Sequence, residues 1–224
     1  MISVIIPIYN EEKTLTINSD YFRELARHAE LIFVDGGSND MSAFIAGEFG
    51  SVFSCAKGRG LQMNYGAGFS QKDTLLFLHA DTRINMDTLI TVERKINENG
   101  FLGGCLTQRI NKKGIIYRLI EKLGNLRAKT TKVFYGDQGI FVKKDLFLKI
   151  RGFPEVPVME DIIFTKQLRK ITKPVVLPDR IFVSPRRWEK EGVIKIILLY
   201  SFLNILFWLR VPLDKIKTIY SDSR

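Results

Sequence analysis

The sequence has little cysteine. Cys55 and Cys105 are the two thiols in 224 residues. They do not form metal-binding spacing or a disulfide framework, so the chain reads as one from a reducing compartment. No basic segment precedes the apolar start Met1-Ile2-Ser3-Val4-Ile5-Ile6-Pro7. That start reads as a strand rather than a signal peptide, which points to the cytoplasm. No Gly-Lys-Ser/Thr closes a P-loop in the glycine-rich stretch 57–68. No DNA-binding motif is present, and aromatic and basic residues do not alternate in an RNA-recognition pattern, which argues against nucleic acid as a partner. The uncharged apolar stretch Ile196 to Leu209 has 14 residues, short of the ~20 that cross a bilayer. No internal repeat or low-complexity linker divides the chain, which reads as one domain (1–190) with a C-terminal extension (191–224).

What is present is an ordinary globular composition, 46% hydrophobic and 26% charged, with enough length for a full core. The charge is unevenly placed. Residues 1–112 carry 11 Lys and Arg against 13 Asp and Glu, whereas residues 113–224 carry 23 against 11. A basic half attracts anions such as nucleotides or phospholipid head groups; a merely solvated basic face is the plainer alternative.

Short apolar runs bounded by turn residues predict strands at 3–8, 30–35, 52–54 and 75–78. Helices are expected between them: from Asn10 as N-cap to about Arg27, from Met41 to Phe49, and after the glycine-rich stretch, where Gly66 and Gly68 would permit close packing or approach of a nucleotide. This alternation predicts a parallel, doubly wound α/β sheet. A helix follows from Asn85 or Asp87 to about Asn97. The second half predicts strands at 103–110, 133–142, 174–178 and 181–183. Helices are expected at 117–126, 144–150 and from Val158 to about Lys170. The apolar stretch 193–211, flanked by Lys195 and Arg210, fits a helix lying on a membrane surface, packed on the domain or buried in a dimer. It leaves the oligomeric state open.

The fourth strand, Leu75 to Leu78, runs into His79-Ala80-Asp81-Thr82. Ligands of open α/β sheets gather at the carboxyl ends of strands. On an extended tip, His79 and Asp81 would project together, and an imidazole beside a carboxylate can hold a divalent ion against phosphate oxygens. A capped turn, with Asp81 bonding local backbone, is the alternative.

Read together, the strand-end residues resemble the family 2 glycosyltransferases, inverting GT-A-fold enzymes that use nucleotide-sugar donors. The resemblance rests on Val4-Ile5-Ile6-Pro7-Ile8-Tyr9-Asn10-Glu11, Asp35-Gly36-Gly37-Ser38-Asn39-Asp40, His79-Ala80-Asp81, Glu160-Asp161 and Arg187-Trp188. Gly136-Asp137-Gln138-Gly139 and the His-Ala-Asp form resemble a small bacterial subgroup. The resemblance implies a nucleotide-binding half over about 1–112 and an acceptor half over about 113–190. Pro7, Asn10, Glu11, Asp35, Gly36, Arg59, Asn64, His79 and Asp81 would bind the nucleotide-sugar, with a UDP-sugar favoured. Asp81, joined by His79, would hold Mn2+ or Mg2+. Asp161, beside Glu160, would be the catalytic base. Asp137, Gln138, Arg187 and Trp188 would meet the acceptor or phosphate. His79 departs from the family's Asp-x-Asp, and Ser184 departs from the Gln or Arg expected three residues before Arg187.

The implied reaction is inverting, metal-dependent transfer of a sugar to a small or lipid-like acceptor hydroxyl. A diphosphate leaves the anomeric carbon, so a cation is needed on one side and a base for the acceptor hydroxyl on the other. Each residue also has a local alternative. Asp35 can cap its turn, Glu160 and Asp161 can complement a helix N-terminus, Arg187 and Trp188 can form a cation–π pair, and Asp137 and Gln138 can stabilise their turn. Two other functions stay open: a nucleotidyltransferase on a related fold, and a non-catalytic membrane-surface adaptor. Tyr9-Asn10-Glu11-Glu12 stands where the first would carry a glycine-rich, basic loop.

Overall fold

Strand β1 (Ile2–Ile8) is buried along its whole length, and its alternation sets the two layers of the core. Val4, Ile6 and Ile8 face one side of the sheet and Ile5 the other, as the two-residue period of a strand requires. Pro7 has no N–H to give, and it lies where β1 has outrun one neighbour: pairing with β4 (Thr74–Phe77) stops at Ile5↔Phe77. The computed structural model describes residues 1–220, so the last four residues of the expected extension, 221–224, lie outside the described residues.

Two helices follow β1, α1 (Glu12–Ile17) and α2 (Ser19–His28), in place of the single helix expected from Asn10. Asn10 is not their N-cap. Its φ is 52°, and Glu11 is the residue before the first turn. Asn18 breaks the run, and its side chain receives Arg83. β2 (Glu30–Asp35), α3 (Ser42–Ala46), β3 (Ser51–Ser54), α4 (Arg59–Phe69) and β4 complete a parallel unit in the order β3-β2-β1-β4. Gly66 of α4 lets the helix settle on the sheet, because a Cβ there would lie 2.7 Å from Ile5 Cγ2 and 2.8 Å from Val34 Cγ2.

The second half is built differently. β5 (Thr82–Ile84), which the periodicity does not predict, precedes α5 (Met86–Asn97). β6 (Gly103–Ile110) and α6 (Ile115–Thr131) lead to a short 3-10 turn, Gly136–Gln138. The expected strand 133–142 is therefore reduced to β7 (Ile140–Lys143), since Gly139 at φ 60° and the turn break it. α7 (Lys144–Lys149) and α8 (Glu160–Ile171) follow. The two strands expected at 174–183 are one, β8 (Val175–Val183), with Pro178 inside it. β7 runs antiparallel to β4 and β6, β8 runs parallel to β6, and β5 runs antiparallel to β8, giving eight strands in the order β3-β2-β1-β4-β7-β6-β8-β5.

Three helices close the described chain: α9 (Arg186–Glu191), α10 (Val193–Trp208) and α11 (Leu213–Ile219). α10 and α11 form a small separate cluster, with Leu203 and Ile216 buried against Val158. No helix among the described residues is long and apolar enough to cross a membrane.

Candidate active site

The carboxyl end of β1 leads into Asn10, whose left-handed backbone turns the chain toward β2. Asn10 donates its N–H to Ser38 Oγ at 2.9 Å, and its Oδ1 accepts the Asn39 N–H at 2.9 Å. Glu11, nearly buried, donates its N–H to Ser42 Oγ and accepts the Thr14 hydroxyl at 2.7 Å. At the end of β2, Asp35 Oδ2 accepts the N–H groups of Gly37 and Ser38, both at 3.0 Å, and Oδ1 accepts the Ser38 hydroxyl. Asp35 thus closes the turn, as its local alternative holds, while a carboxylate's remaining lone pairs are free to accept further donors. Gly36 is tight: a Cβ would lie 3.0 Å from Gln62 Nε2.

Gln62 was not singled out in the sequence. Its buried amide donates to the carbonyls of Ile8 and Val34, at 2.9 and 2.8 Å, tying the ends of β1 and β2 to α4. Asn64, expected at the donor, has its amide engaged by one residue. Nδ2 donates to Phe153 O and Oδ1 accepts Phe153 N–H, both at 2.8 Å, so it pins the 152–154 turn.

After β4 the chain does not stay extended. Thr82 N–H and its hydroxyl both bond His79 O, at 3.1 and 2.8 Å. His79 and Asp81 are therefore placed by a turn, which corrects the alternation argument. Asp81 reaches the guanidinium of Arg186 at 3.5 Å. Arg186 also contacts Glu11 Oε2 at 3.3 Å and donates to Thr14 Oγ1 at 3.1 Å. A cavity of about 430 Å³ lies between Asn10–Thr14, Asp40 and Arg186.

A second wall comes from the second half, and its residues are not among those lining that cavity. Gly136 N–H donates to Asp161 Oδ2 at 2.6 Å, and a Cβ on Gly136 would sit 2.9 Å from His79 Nε2 and 3.6 Å from Asp161 Oδ2. A side chain there would have to displace the end of the His79 ring, so the glycine lets the β4 tip and the start of α8 approach one another. Met159, just before α8, has φ 66°, an unusual backbone for a non-glycine residue beside a cleft. Burial pushes the Asp161 carboxyl up to about 7. The charge of Glu160 adds to this, and Gly136 N–H, Arg59 and Ile162 N–H oppose it. Glu160 itself pairs with Arg59 at 3.4 Å, which joins the first turns of α4 and α8. Burial likewise pushes Asp137 up to about 6 against the pull of Arg127 and a hydrogen bond from Gln108, with the Asp81 charge adding. Asp137 Oδ1 is buried without a hydrogen-bond partner among the described residues. Gln138 Oε1 accepts from Tyr135 N–H and Arg127, so that end holds its own turn.

Arg187 and Trp188 do not join this wall. Arg187 donates to the Tyr200 and Tyr220 hydroxyls at 2.9 and 2.7 Å and pairs with Glu191 at 3.1 Å. Its ring partners are those tyrosines rather than Trp188, which meets Tyr117 edge-on. The cation at the strand tips is Arg186. The stretch Arg186-Arg187-Trp188-Glu189 takes part in the subgroup resemblance, but the resemblance assigns the role to Arg187 and Trp188 rather than to Arg186. The distinguishing fact is which face of the six-residue α9 turns inward.

Comparisons with known proteins bear on the family and the fold. The family model described as Glycosyl transferase family 2 matches residues 3–150. No curated protein sequence matches the chain. Among solved structures, TarS 1-349 of S. aureus shares 22% identity at a TM-score of 0.65, covering 82% of this chain and 60% of that one. A mannosyltransferase of Pyrobaculum calidifontis, in complex with GDP-Man and Mn2+, shares 18% identity at a TM-score of 0.62, covering 81% and 56%. Glucosyl-3-phosphoglycerate synthase of Mycobacterium tuberculosis, in complex with Mn2+ and UDP-glucose, shares 19% identity at a TM-score of 0.60, covering 82% and 70%. The chain thus spans less than two thirds of the first two, and the shared feature is the GT-A fold.

Proposed function

Because this chain belongs to glycosyl transferase family 2, we propose that it transfers a sugar from a nucleotide-diphosphate donor to an acceptor hydroxyl, with inversion at the anomeric carbon. The observation that carries this reading is the junction at Gly136. There a carboxylate with its proton affinity raised to about 7, Asp161, lies across a glycine from the His79-Ala80-Asp81 turn. A base poised near neutral pH suits removal of a hydroxyl proton during attack. In the step proposed, the acceptor oxygen bonds to the anomeric carbon and its proton passes to Asp161. The bond from that carbon to the β-phosphate oxygen breaks, and the diphosphate leaves with both electrons.

The residues at the β4 tip fit a divalent ion. No group of three or more His, Cys, Asp or Glu among the described residues forms a protein-only cage; a cation here would be held by one or two protein groups and completed by substrate phosphates. Asp81 is the anionic donor and His79 the neighbouring imidazole, a set that suits Mn2+ better than Mg2+. When bound, the ion would neutralise charge on the departing diphosphate. In this reading Arg186, within reach of Asp81 and Glu11, and Arg59, beside Glu160, would meet the same phosphates. Solved relatives bind UDP-GlcNAc, UDP-glucose and GDP-mannose, and a UDP-sugar is the donor we favour. The acceptor is small or lipid-like, and the protein works in the cytoplasm, against the inner membrane face through residues 193–211.

Thermal unfolding with UDP-sugars and Mn2+ tests this. A donor at a hundredfold excess over its Kd should stabilise the fold by about 2.7 kcal/mol. Asp81→Asn should remove the metal-dependent part of that rise. No shift with any nucleotide-sugar, with or without Mn2+, would overturn the reading.

A further inference from the structure

Helix α10 is apolar around its circumference, yet the fold buries only Ile196 and Leu203 of its 16 residues completely. Its body-facing side is fixed by polar contacts. Asn204 Oδ1 accepts the Tyr135 hydroxyl at 3.0 Å, and Tyr200 receives Arg187. Residues at helical spacing on the other side, Ile194, Leu198, Phe202, Ile205 and Leu209, form one exposed stripe that ends at Trp208, which is 74% exposed. A strongly apolar helix left half uncovered needs a cover.

The end of the stripe says which cover. The turn from α10 into α11 closes a cavity of about 580 Å³ against α8, lined by Lys166, Trp208, Arg210 and residues 211–213. Lys166 Nζ lies over the rings of Phe207 and Trp208, at 4.4 and 4.8 Å. No acid lines this cavity, and neither Lys166 nor Arg210 is in an ion pair among the described residues. Two uncompensated cations and a tryptophan beside an apolar ridge are complementary to an anionic head group above its acyl chains. A second copy of the chain would bring the same positive charges against one another.

We infer that the α10–α11 hairpin docks the protein on an anionic bilayer, with a lipid phosphate held between Lys166 and Arg210 and the Leu198–Ile205 stripe in the acyl boundary. This deepens the membrane-side reading above and does not depend on the transfer chemistry.

The test is sedimentation of the full chain with vesicles, in the absence of nucleotide. We expect binding to phosphatidylglycerol–phosphatidylcholine vesicles, weakening as salt rises, and little binding to phosphatidylcholine alone. Trp208 emission should shift to the blue on binding, and Trp208→Phe should remove that shift. The double variant Lys166→Glu, Arg210→Glu should lose affinity by about tenfold or more. Leu198→Asp, Ile205→Asp should lose it altogether while keeping the wild-type circular dichroism and the donor-induced thermal shift. Absence of binding to anionic vesicles overturns the inference, as does equal binding to neutral ones. So does dimerisation in solution that Leu198→Asp abolishes without any vesicle binding. A donor shift without vesicle binding would sink this inference alone; vesicle binding without any donor shift would sink the transferase reading alone.

Discussion

The acids of the two halves of the sheet are held in opposite ways. In the parallel half, Asp35 is ringed by two backbone N–H groups and a hydroxyl, and Asp81 faces the guanidinium of Arg186. In the mixed half, Asp137 and Asp161 sit where burial outweighs the donors beside them, and both are pushed up toward neutral pH. The first arrangement surrounds the carboxylates with hydrogen-bond donors and a cation. The second lowers the cost of accepting a proton. A reaction that must neutralise a leaving diphosphate and deprotonate an alcohol needs both environments a few ångströms apart, and Gly136 is the position at which they meet.

The largest effect should come from abolishing that contrast. Asp161→Asn keeps the Gly136 contact but cannot take a proton, so turnover should fall by about 10²–10⁴-fold, with the donor-induced thermal shift retained. In the wild type, the base must be ionised to act. Its raised proton affinity, near 7, therefore predicts a rate that climbs as pH rises toward about 7 and levels above it. Rate measurements across pH 5–9 (roughly two units on either side of that value) check this. A profile flat from 5 to 9 would remove Asp161 from the role.

Next come the adjacent arginines, which divide the halves between them. Arg186→Ala takes away the cation between Glu11 and Asp81, and a charge-assisted contact is worth about 1.5–3 kcal/mol. We expect donor affinity to drop by about tenfold or more with little change in melting temperature. Arg187→Ala should do the reverse, lowering stability by loosening Tyr200, Tyr220 and Glu191 while leaving donor affinity within about twofold. Titration calorimetry beside thermal unfolding separates the two, and equal effects would merge roles that the geometry keeps apart.

The two halves also differed in how well the sequence disclosed them. Strands β1, β2 and β4 are buried on both faces and read as continuous apolar runs, so the parallel unit was legible, including Asp35 at the end of its strand. Asp161 was named through the family resemblance alone, and from the residues themselves the pair reads equally as acids at a helix N-terminus. What stayed hidden depends on non-local partners. β5 is three residues, stabilised by pairing with β8, and the 133–142 run is broken by a turn whose cause is the cleft it lines. Asn64 and Gln62 both lie on α4, and spacing alone does not say that one pins the Phe153 turn and the other ties two strand ends. Nor could the order Arg186-Arg187 reveal which guanidinium faces the strand tips.

A steric change probes the parallel half without touching its charges. Gly66→Ala forces a methyl to within 3 Å of Ile5 and Val34, and overpacking of that kind costs about 1–3 kcal/mol. Gly68, two residues on and turned to the exposed side of α4, has open space around the Cβ position, so Gly68→Ala should be neutral or slightly stabilising, because alanine favours a helix. Chemical denaturation of the pair measures the difference, and similar midpoints would mean that α4 does not seat on the sheet as described.

The smallest expected effect concerns Asp137, and its sign is opposite to that of most protein carboxylates. An unfolded aspartate releases its proton near 3.9, whereas burial holds this one to about 6. Between those values the folded chain binds more protons than the unfolded one, so stability should fall as pH rises from about 4 to about 6 and then level off. Asp161 tilts the curve the same way, which is why the comparison must be between the wild type and Asp137→Asn. The amide is neutral at every pH and fits beside Gln108. The variant should therefore be more stable than the wild type above pH 6, by at least about 1 kcal/mol, and the two curves should converge near pH 4. Denaturation midpoints that differ equally at both ends of the range would mean that the Asp137 carboxyl is ionised in the folded protein throughout, and that the contrast between the two halves rests on Asp161 alone.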